Sequence, residues 1–393
     1  MKVCAVISEY NPFHAGHLFQ IREILRRMPD CYMISIMSGC FVQRGEPALW
    51  DKYFRAACAI RAGGPDLVLE LPISAALSSA EGFAEGGVRL AAALGCVTHL
   101  SFGCESGTEQ TLMQLAQWMD NPIFDDALRS NLTSGVSYAQ AAQQAAQALC
   151  PDLAPLLASP NDLLAVQYCR AIRKYCPHVQ PIAVRRIGAA HDGTPIDNIP
   201  SASYIRSQFH SENIESAVQL LPAAYREQAL PMRRHSWQAL APAVLPYLRR
   251  LTPKYIATLP GVSEGLEHRF YAACQTAQSL DELWERTRSR RHPLSRVRRL
   301  TLCAYLGLTQ DIASLSPEYI TVLGMNARGQ QILKAMKKTC PLPVIVKPTQ
   351  ARKLSDSAQR LWNFTVLADD LYYFPSPAGQ DWKQTPYIEK QQA

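Results

Sequence analysis

Residues 3–17 are VCAVISEYNPFHAGH, and this stretch decides the fold. The first six residues are apolar or small and predict a buried strand. The last four, His14-Ala15-Gly16-His17, stand where a helix is predicted to begin. A helix N-terminus offers free N–H groups and a partial positive charge, which suit phosphate. Gly16 has no Cβ, so a ligand can approach the backbone closely there.

His14 and His17 are the candidate catalytic residues. They are three positions apart, so both side chains can lie on one face of the first helical turn. Two imidazoles in that place can donate hydrogen bonds to a phosphate that gains negative charge in a transition state. The alternative is a chance pair of histidines at a helix start. The position of the pair directly after a first strand argues against chance.

Residues 1–212 alternate short apolar runs with amphipathic stretches. Strands are predicted at residues 3–8, 32–38, 67–71, 98–103 and 179–187. Helices are predicted at residues 18–27, 52–62, 80–94, 108–119 and 161–175. This alternation predicts an α/β fold, a Rossmann-like domain with a parallel sheet and helices on both faces. Ligands of such sheets bind beyond the carboxyl ends of the strands.

Residues 213–393 show a different pattern, in which helical signals dominate. Helices are predicted at residues 214–221, 237–250, 265–277, 280–286, 294–306 and 327–338. Prolines at positions 242, 246, 253 and 260 are expected to break this region into short pieces. One late strand is predicted at residues 342–346, and residues 380–393 receive no assignment. We therefore expect a second, mainly α-helical domain over residues 213–393.

The composition is that of a globular protein. The chain has 393 residues, which predicts two or three domains, and 48% of them are hydrophobic. No apolar run approaches the ~20 residues of a membrane span, and the N-terminus lacks the features of a signal peptide. We expect a cytoplasmic protein with no membrane or protein partner. The twelve cysteines include no C-x-x-C pair, so we expect buried thiols and no metal site.

Positive charge is concentrated in the second part of the chain. Residues 213–393 hold 24 Lys and Arg against 14 Asp and Glu, a balance of +10, whereas residues 1–212 have a balance of −3. Such asymmetry predicts that one part binds a polyanion, although a solvated basic surface would look the same. The candidate RNA-binding residues come from the densest basic cluster: Arg288, Arg290, Arg291, Arg298 and Arg299. Nearby aromatic residues could stack on unpaired bases.

A second phosphate motif is Ser201-Ala202-Ser203-Tyr204-Ile205-Arg206. Hydroxyl groups and the planar guanidinium are suitable donors to phosphate oxygens, which makes Ser203 and Arg206 candidates. Alone, the motif is weak, because a capped helix with a surface Arg has the same sequence. The chain has no G-x-x-x-x-G-K-[ST] motif, so chemistry at a γ-phosphate is not favoured.

The first motif after the first strand, with the second motif later, resembles the HxGH nucleotidyltransferase superfamily. Longer strings in the same order resemble the bacterial tRNA(Met) cytidine acetate ligases. These strings are residues 8–14, 37–47, 51–52, 66–72, 101–105 and 186–189. One position departs from the family's loop, where Cys40 follows Ser38-Gly39 in place of an expected Asn.

This resemblance implies an ATP-dependent acetate ligase. Such an enzyme forms acetyl-adenylate from acetate and ATP, without acetyl-CoA. It then transfers the acetyl group to N4 of the wobble cytidine, C34, of elongator tRNA(Met). Mg²⁺ is expected with the ATP. The resemblance places the ATP site at Ile7, Ser8, Glu9, Tyr10, Asn11, Pro12, Phe13, His14, Ala15, Gly16, His17, Leu18, Phe19, Gln20, Gly103, Asn161 and Arg186.

Arg44 lies in the loop of residues 43–47, and Lys52 follows this loop. Both are further candidates for contacts to phosphate or acetate, because a loop at a strand's end can close over a small anion. A structural turn with an exposed Arg is an equally good interpretation of that loop. Two alternative functions also remain open. One is a small-molecule adenylyltransferase of the same fold, and the other is a non-catalytic RNA-binding protein that retains the fold.

Overall fold

A computed structural model describes residues 1–186, 200–211, 214–263, 265–315, 318–374 and 384–389. Its strands are β1 (Val3–Ser8), β2 (Tyr32–Ser38), β3 (Phe41–Val42), β4 (Glu46–Pro47), β5 (Leu67–Leu71), β6 (His99–Cys104), β7 (Gln180–Arg185), β8 (Ile320–Met325), β9 (Val344–Ile345) and β10 (Tyr387–Ile388). All five strands predicted within residues 1–212 are present. The predicted β7 extended to Ile187, which lies outside the described residues, as do Gly188 and Ala189.

The main sheet has the strand order β10-β8-β5-β2-β1-β6-β7. All neighbouring strands in the part β5-β2-β1-β6-β7 of this order are parallel, in agreement with the predicted α/β fold. Strand β8 pairs antiparallel with β5, so the sheet is mixed rather than wholly parallel. The hairpin of β3 and β4 forms a small separate sheet beside it.

Strand β1 shows why helices cover both faces of the sheet. Successive side chains of a strand point to opposite faces. Val3, Ala5 and Ile7 belong to one hydrophobic core, whereas Cys4 and Val6 belong to another. Because β1 is fully buried, its sequence is a continuous apolar run rather than an alternating one.

The described residues form nineteen α-helices, among them all five that were predicted within residues 1–212. They are α1 (Ala15–Arg27), α2 (Lys52–Arg61), α3 (Ile73–Ala76), α4 (Ala80–Leu94), α5 (Glu109–Met119), α6 (Pro122–Thr133), α7 (Tyr138–Leu149), α8 (Pro160–Tyr175), α9 (Ala202–Phe209), α10 (Ile214–Gln219), α11 (Arg226–Ala229), α12 (Trp237–Leu248), α13 (Pro253–Ile256), α14 (Leu266–Thr276), α15 (Leu280–Thr287), α16 (Leu294–Leu306), α17 (Gln310–Ala313), α18 (Ala327–Thr339) and α19 (Asp356–Tyr373). Short 3₁₀ helices cover Ala154–Ala158, Ala223–Tyr225 and Pro348–Lys353.

The prolines of the helical region act differently from our expectation. Pro242 and Pro246 lie inside α12, which continues through both of them. The helix predicted at residues 237–250 is therefore present, and the expectation that Pro242 and Pro246 break the region into short pieces was wrong. Leu240, Val244 and Leu248 of α12 are buried in a helical core, and this packing offsets the missing backbone hydrogen bonds. Pro253, by contrast, begins α13.

Residues 213–393 are mainly helical, as predicted, but they also complete the sheet. Two strands of this region were not predicted: β8, whose six residues are all buried, and β10, which pairs parallel with it. The segment expected to form a separate helical domain therefore contributes three strands, β8, β9 and β10, to the eight-stranded main sheet. The predicted late strand is present as the short β9, which pairs with β8.

Ten of the twelve cysteines are buried, as expected, and Cys96 and Cys340 are partly exposed. Within the described ranges, no helix has both the length and the apolar character needed to cross a membrane.

Candidate active site

A cavity of about 1070 Å³ lies beyond the carboxyl ends of β1, β6 and β7. This is the edge at which parallel sheets bind ligands. Fourteen of the residues predicted for the ATP, phosphate or acetate site line it: Ile7, Ser8, Glu9, Tyr10, Asn11, His14, Gly16, His17, Phe19, Gln20, Arg44, Gly103, Asn161 and Arg186. Pro12, Phe13, Ala15 and Leu18 are not among the lining residues. Phe13 instead packs in the core beneath the site.

The two histidines cap the first helix together. His14 is the N-cap of α1, and its Nδ1 atom accepts a hydrogen bond from the backbone N–H of Gly16 at 3.0 Å. His17 Nδ1 accepts one from the backbone N–H of His14 at 3.2 Å. The imidazole rings lie 4.0 Å apart between centroids. Both Nδ1 atoms therefore act as acceptors, and a neutral ring must carry its proton on Nε2.

Burial keeps these rings neutral. Removal from solvent lowers the pKa of His14 to about 3, and the charges of Arg186 and Arg206 add to this shift. Burial also lowers the pKa of His17 well below its usual range, with further contributions from His14 and Arg186. At neutral pH each histidine therefore has an Nε2–H donor at the N-terminus of a helix, facing a site that already favours negative charge.

Asn161 and Arg186 form the opposite wall of the site. Arg186 follows β7, and its Nη1 donates to Asn161 Oδ1 at 3.1 Å. Asn161 Nδ2 in turn donates to Glu105 Oε1 at 2.5 Å. Asn161 lies in the first turn of α8, whose N-cap is Ser159. The amide of Asn161 is thus available to orient the guanidinium of Arg186.

Gly103 lies in β6 next to this pair. A Cβ atom placed on it would come within 3.4 Å of Arg186 Cγ. That distance is ordinary contact, so an alanine would fit the protein itself. It would, however, fill space at the wall of the cavity, where a ligand approaches the backbone.

Arg44 reaches the cavity from the β3–β4 hairpin. We refer to residues 43–46 as the hairpin loop. The backbone N–H of Gln43 donates to Glu9 Oε1 at 2.8 Å, which joins the loop to the segment after β1. Partial burial lowers the pKa of Arg186, Glu105 opposes that shift, and the positive charge of Arg44 adds to it. Arg44 and Arg186 therefore both contribute positive potential to one cavity.

The second phosphate motif is only partly at the cavity. Ser201 and Ala202 line it, whereas Ser203 and Arg206 are not among the lining residues. Ser201 caps α9 by accepting a hydrogen bond from the backbone N–H of Tyr204. Arg206 Nη1 donates to the backbone oxygen of Asn11 at 2.8 Å. Arg206 thus stabilises the segment after β1 through a backbone contact and is not a lining residue of the cavity.

Lys52 is remote from the cavity. Its Nζ lies 2.7 Å from Glu70 Oε1 and 2.6 Å from Asp369 Oδ2, and all three side chains are buried. We had expected Lys52 to contact phosphate or acetate. The structure instead places it in an ion-pair cluster that joins α2, β5 and α19.

Several lining residues were not predicted. Ser78 and Ser79 come from the turn before α4, Glu81 comes from its first turn, and Gln167 and Tyr168 come from α8. The Ser-Ser pair at the start of a predicted helix was a usable signal, because Ser79 caps α4. Gln167 and Tyr168 lie in the middle of a helix, and their sequence context gives no such signal.

The helical region supplies a further wall. Arg291, Arg296 and Arg299 line the cavity, although only the first and last were candidates, and those as RNA contacts. Arg288 and Arg290 are exposed on the surface, and Arg288 Nε lies 2.9 Å from Glu285 Oε2. Arg298 is half-buried, and its guanidinium lies 4.6 Å from the centre of the Trp284 ring. The basic cluster is thus divided between an outer surface and the cavity.

A parallel sheet whose first strand leads into a His-x-Gly-His helix start, with arginines facing the same cavity, defines a nucleotidyltransferase. The sequence profile of the HIGH Nucleotidyl Transferase family matches residues 1–385. The chain belongs to this family and, within it, to the tRNA(Met) cytidine acetate ligases.

Known relatives match over almost the whole chain. The tRNA(Met) cytidine acetate ligase of Acetivibrio thermocellus is 33% identical, covering 99% of this chain and all of that protein. The Clostridium perfringens ligase is 33% identical over 96% of each chain. The crystal structure of Thermotoga maritima TmcAL has a TM-score of 0.92 at 28% identity and 99% coverage of each chain. A structure of that protein bound with alpha-thio ATP has a TM-score of 0.91.

Proposed function

We propose that this protein activates acetate with ATP and transfers the acetyl group to N4 of the wobble cytidine, C34, of elongator tRNA(Met), without acetyl-CoA. The observation that carries the proposal is the pair of neutral, buried histidines at the start of α1, with Arg44 and Arg186 facing the same cavity. Membership of the ligase family and the ATP analogue bound to the Thermotoga maritima protein support it.

The first step forms acetyl-adenylate. An acetate oxygen attacks the α-phosphorus of ATP, and the bond from that phosphorus to the β-phosphate bridging oxygen breaks. Negative charge grows on the oxygens around phosphorus. The Nε2–H groups of His14 and His17 stabilise this charge, and Arg186 adds a guanidinium oriented by Asn161. The histidines act as hydrogen-bond donors and not as acids, because they are neutral and stay so.

The leaving pyrophosphate requires positive charge. Arg44 and the N-terminus of α1 supply part of it. Among the described residues, no group of three or more His, Cys, Asp or Glu is placed to hold a metal ion. Glu9 Oε1 accepts the backbone N–H of Gln43, and burial raises the pKa of the Glu9 carboxyl group. Mg²⁺ bound with ATP would supply the remaining positive charge at the leaving pyrophosphate.

The second step transfers the acetyl group. The N4 amine of cytidine attacks the acetyl carbonyl carbon, the carbon–oxygen bond to AMP breaks, and the amine gives up one proton. Positioning of an already activated acyl group supplies most of the acceleration. An anticodon-loop base is unpaired and can enter a pocket at low cost.

We propose a division of labour between the two parts of the chain. Residues 1–212 carry most of the groups for acetate activation, and residues 213–393 hold the tRNA through a basic surface that includes the exposed Arg288 and Arg290. A tRNA substrate also implies a cytoplasmic location.

The test uses labelled acetate, ATP and tRNA with the purified protein. We expect acetate-dependent exchange of pyrophosphate into ATP without tRNA, and label in elongator tRNA(Met) when tRNA is added. Omitting acetyl-CoA should have no effect. Exchange without label in tRNA would refute the tRNA part and favour a small-molecule adenylyltransferase. If no exchange occurs, the protein is not an acetate ligase.

A further inference from the structure

Arg299 of α16 reaches the segment after β1 through the hairpin loop. Its Nη1 donates to the backbone oxygen of Gln43 at 3.0 Å. The backbone N–H of the same Gln43 donates to Glu9 Oε1 at 2.8 Å. The two backbone groups of Gln43 therefore connect Arg299 of the helical region to Glu9, in the segment that follows β1.

Arg298 makes a second connection between the same two regions. Its Nη1 lies 2.8 Å from Glu46 Oε1. The other carboxylate oxygen of Glu46 lies 3.2 Å from Arg206 Nη2. Arg206 also donates to the backbone oxygen of Asn11 at 2.8 Å. Consecutive arginines of one helix thus hold both ends of the hairpin loop, and both connections end between β1 and α1.

Close backbone contact reinforces these bonds. Gly45 has a φ of +76°, and a Cβ on it would lie 2.4 Å from the backbone nitrogen of Arg299. The loop can lie directly on α16 only because this residue is glycine. Trp237 Nε1 also donates to the backbone oxygen of Gly45 at 3.0 Å, in the buried interior. Backbone packing against α16 and the bond from Trp237 therefore hold the hairpin loop in place beside the cavity.

We propose that Arg298 and Arg299 are positioning residues that hold Arg44 at the adenylation site, and that they are not contacts to tRNA. Arg44 is the cavity-lining residue between Gln43 and Gly45, both of which are fixed by α16. The helical region thus completes the site for acetate activation before any tRNA binds. This inference rests on the proposed function for its activity readout.

Charge and burial agree with this role. Burial lowers the pKa of Arg299 to about 10, so its charge is partly withdrawn from solvent. A contact to a tRNA backbone needs an accessible cation that releases counterions. The guanidinium of Arg298 forms an ion pair with Glu46 and lies over the Trp284 ring. Neither side chain has the accessibility that Arg288 and Arg290 have on the outer surface.

The experiment is a double-mutant cycle on the full-length protein, with Arg299→Met, Arg44→Ala and the pair combined. Methionine keeps the apolar stem of Arg299 and removes its donors. The readouts are acetate-dependent ATP–pyrophosphate exchange without tRNA, calorimetric affinity for α,β-methylene ATP, and tRNA affinity. Arg360→Met is the matched control, because Arg360 also lies in the helical region and pairs with Asp311 at 2.9 Å, but is exposed.

We expect each single variant to lower kcat/KM for exchange by roughly 10- to 100-fold, the range that small misplacement of reacting groups produces. In the Arg44→Ala background, Arg299→Met should reduce the rate by less than about a further twofold, because interacting residues are not additive. Affinity for tRNA should change by less than about twofold in Arg299→Met. Arg299→Lys, which keeps one donor, should recover part of the exchange rate.

Three results would overturn the inference: normal exchange with weakened tRNA binding in Arg299→Met, reductions that multiply in the double variant, or an equal effect of Arg360→Met. If Arg299→Met does not fold, Glu46→Gln takes its place in the cycle, because it weakens both arginine contacts at the other end of the loop. Absence of exchange in the wild type would refute the proposed function instead. Calorimetry with α,β-methylene ATP would then still test the positioning role.

Discussion

The backbone N–H of His14 donates a hydrogen bond to Nδ1 of His17, with 3.2 Å between the two nitrogens. This bond fixes the tautomer of His17, so that its proton lies on Nε2. The N–H of Gly16 does the same for His14. The backbone N–H groups at the start of α1, which have no partner within the helix, therefore orient two imidazoles. The Nε2–H groups of these rings can then donate hydrogen bonds to a phosphate.

We predict that His14→Ala abolishes most acetate activation and leaves tRNA binding intact. Removal of one preorganised donor to a charged transition state costs roughly 10²- to 10³-fold in rate. Pyrophosphate exchange measures the first property, and a filter-binding or calorimetric titration with tRNA measures the second. An equal reduction of both activities would contradict the division between the two parts of the chain.

The lowered pKa of His14 predicts how stability depends on pH. Its pKa is about 3 in the folded protein and near 6.5 when exposed. Above pH 6.5 both states are neutral. As the pH falls below 6.5, His14 becomes protonated in the unfolded chain but stays neutral in the folded protein. The free energy of unfolding therefore decreases.

His14→Asn isolates this contribution, because asparagine can accept the Gly16 N–H bond and does not titrate. Urea unfolding between pH 4 and 7 should show a shallower pH dependence for the variant than for the wild type. His235, whose pKa burial lowers to about 4, contributes to the slope in both proteins. Identical slopes would show that His14 does not resist protonation.

Gly103→Ala should weaken nucleotide binding without destabilising the fold. The new Cβ would make ordinary contact with Arg186, at 3.4 Å. We therefore expect a change below about 1 kcal/mol in the free energy of unfolding. It would occupy space that the ligand needs, and we expect at least about a tenfold rise in Kd for ATP, or about 1.4 kcal/mol. Calorimetry and urea unfolding give the two values, and unchanged affinity would place the nucleotide elsewhere in the cavity.

Lys52→Met should act on stability. It would leave Glu70 and Asp369 buried without their cation, and breaking such a pair costs about 3–5 kcal/mol. Urea unfolding measures the effect. Adding Asp369→Asn should recover part of the stability by removing one unpaired charge. A stable Lys52→Met variant with weakened ATP affinity would restore the sequence-based prediction of a phosphate contact.

Arg290→Glu should weaken tRNA binding, because Arg290 is exposed on the basic surface. The slope of log K against log salt should also become shallower, by about 0.7–0.9 for each phosphate that the variant no longer neutralises. Arg360→Glu makes the same charge change in the helical region and is the control. Equal weakening in the two variants would indicate a general effect of net charge and no specific surface.

The sequence by itself determined the local elements. A buried strand followed by His14-Ala15-Gly16-His17 predicted both the α/β fold and the helix start that faces the cavity. Gly103 and Arg186 lie near the ends of predicted strands, and parallel strands end on the same side of a sheet, whereas Asn161 was assigned to the site through the family resemblance. Such features depend on neighbours in the chain, and short-range patterns encode them.

Only the tertiary structure decided which distant residues meet. The sequence near β8 resembles any short apolar run, and its place beside β5 depends on a partner about 250 residues away. Lys52 was predicted to contact phosphate or acetate, but its ammonium group is paired with Glu70 and Asp369. Arg298 and Arg299 had the charge of RNA contacts, but the hairpin loop binds both. A charged side chain can serve a ligand or the protein, and only its three-dimensional neighbours determine which.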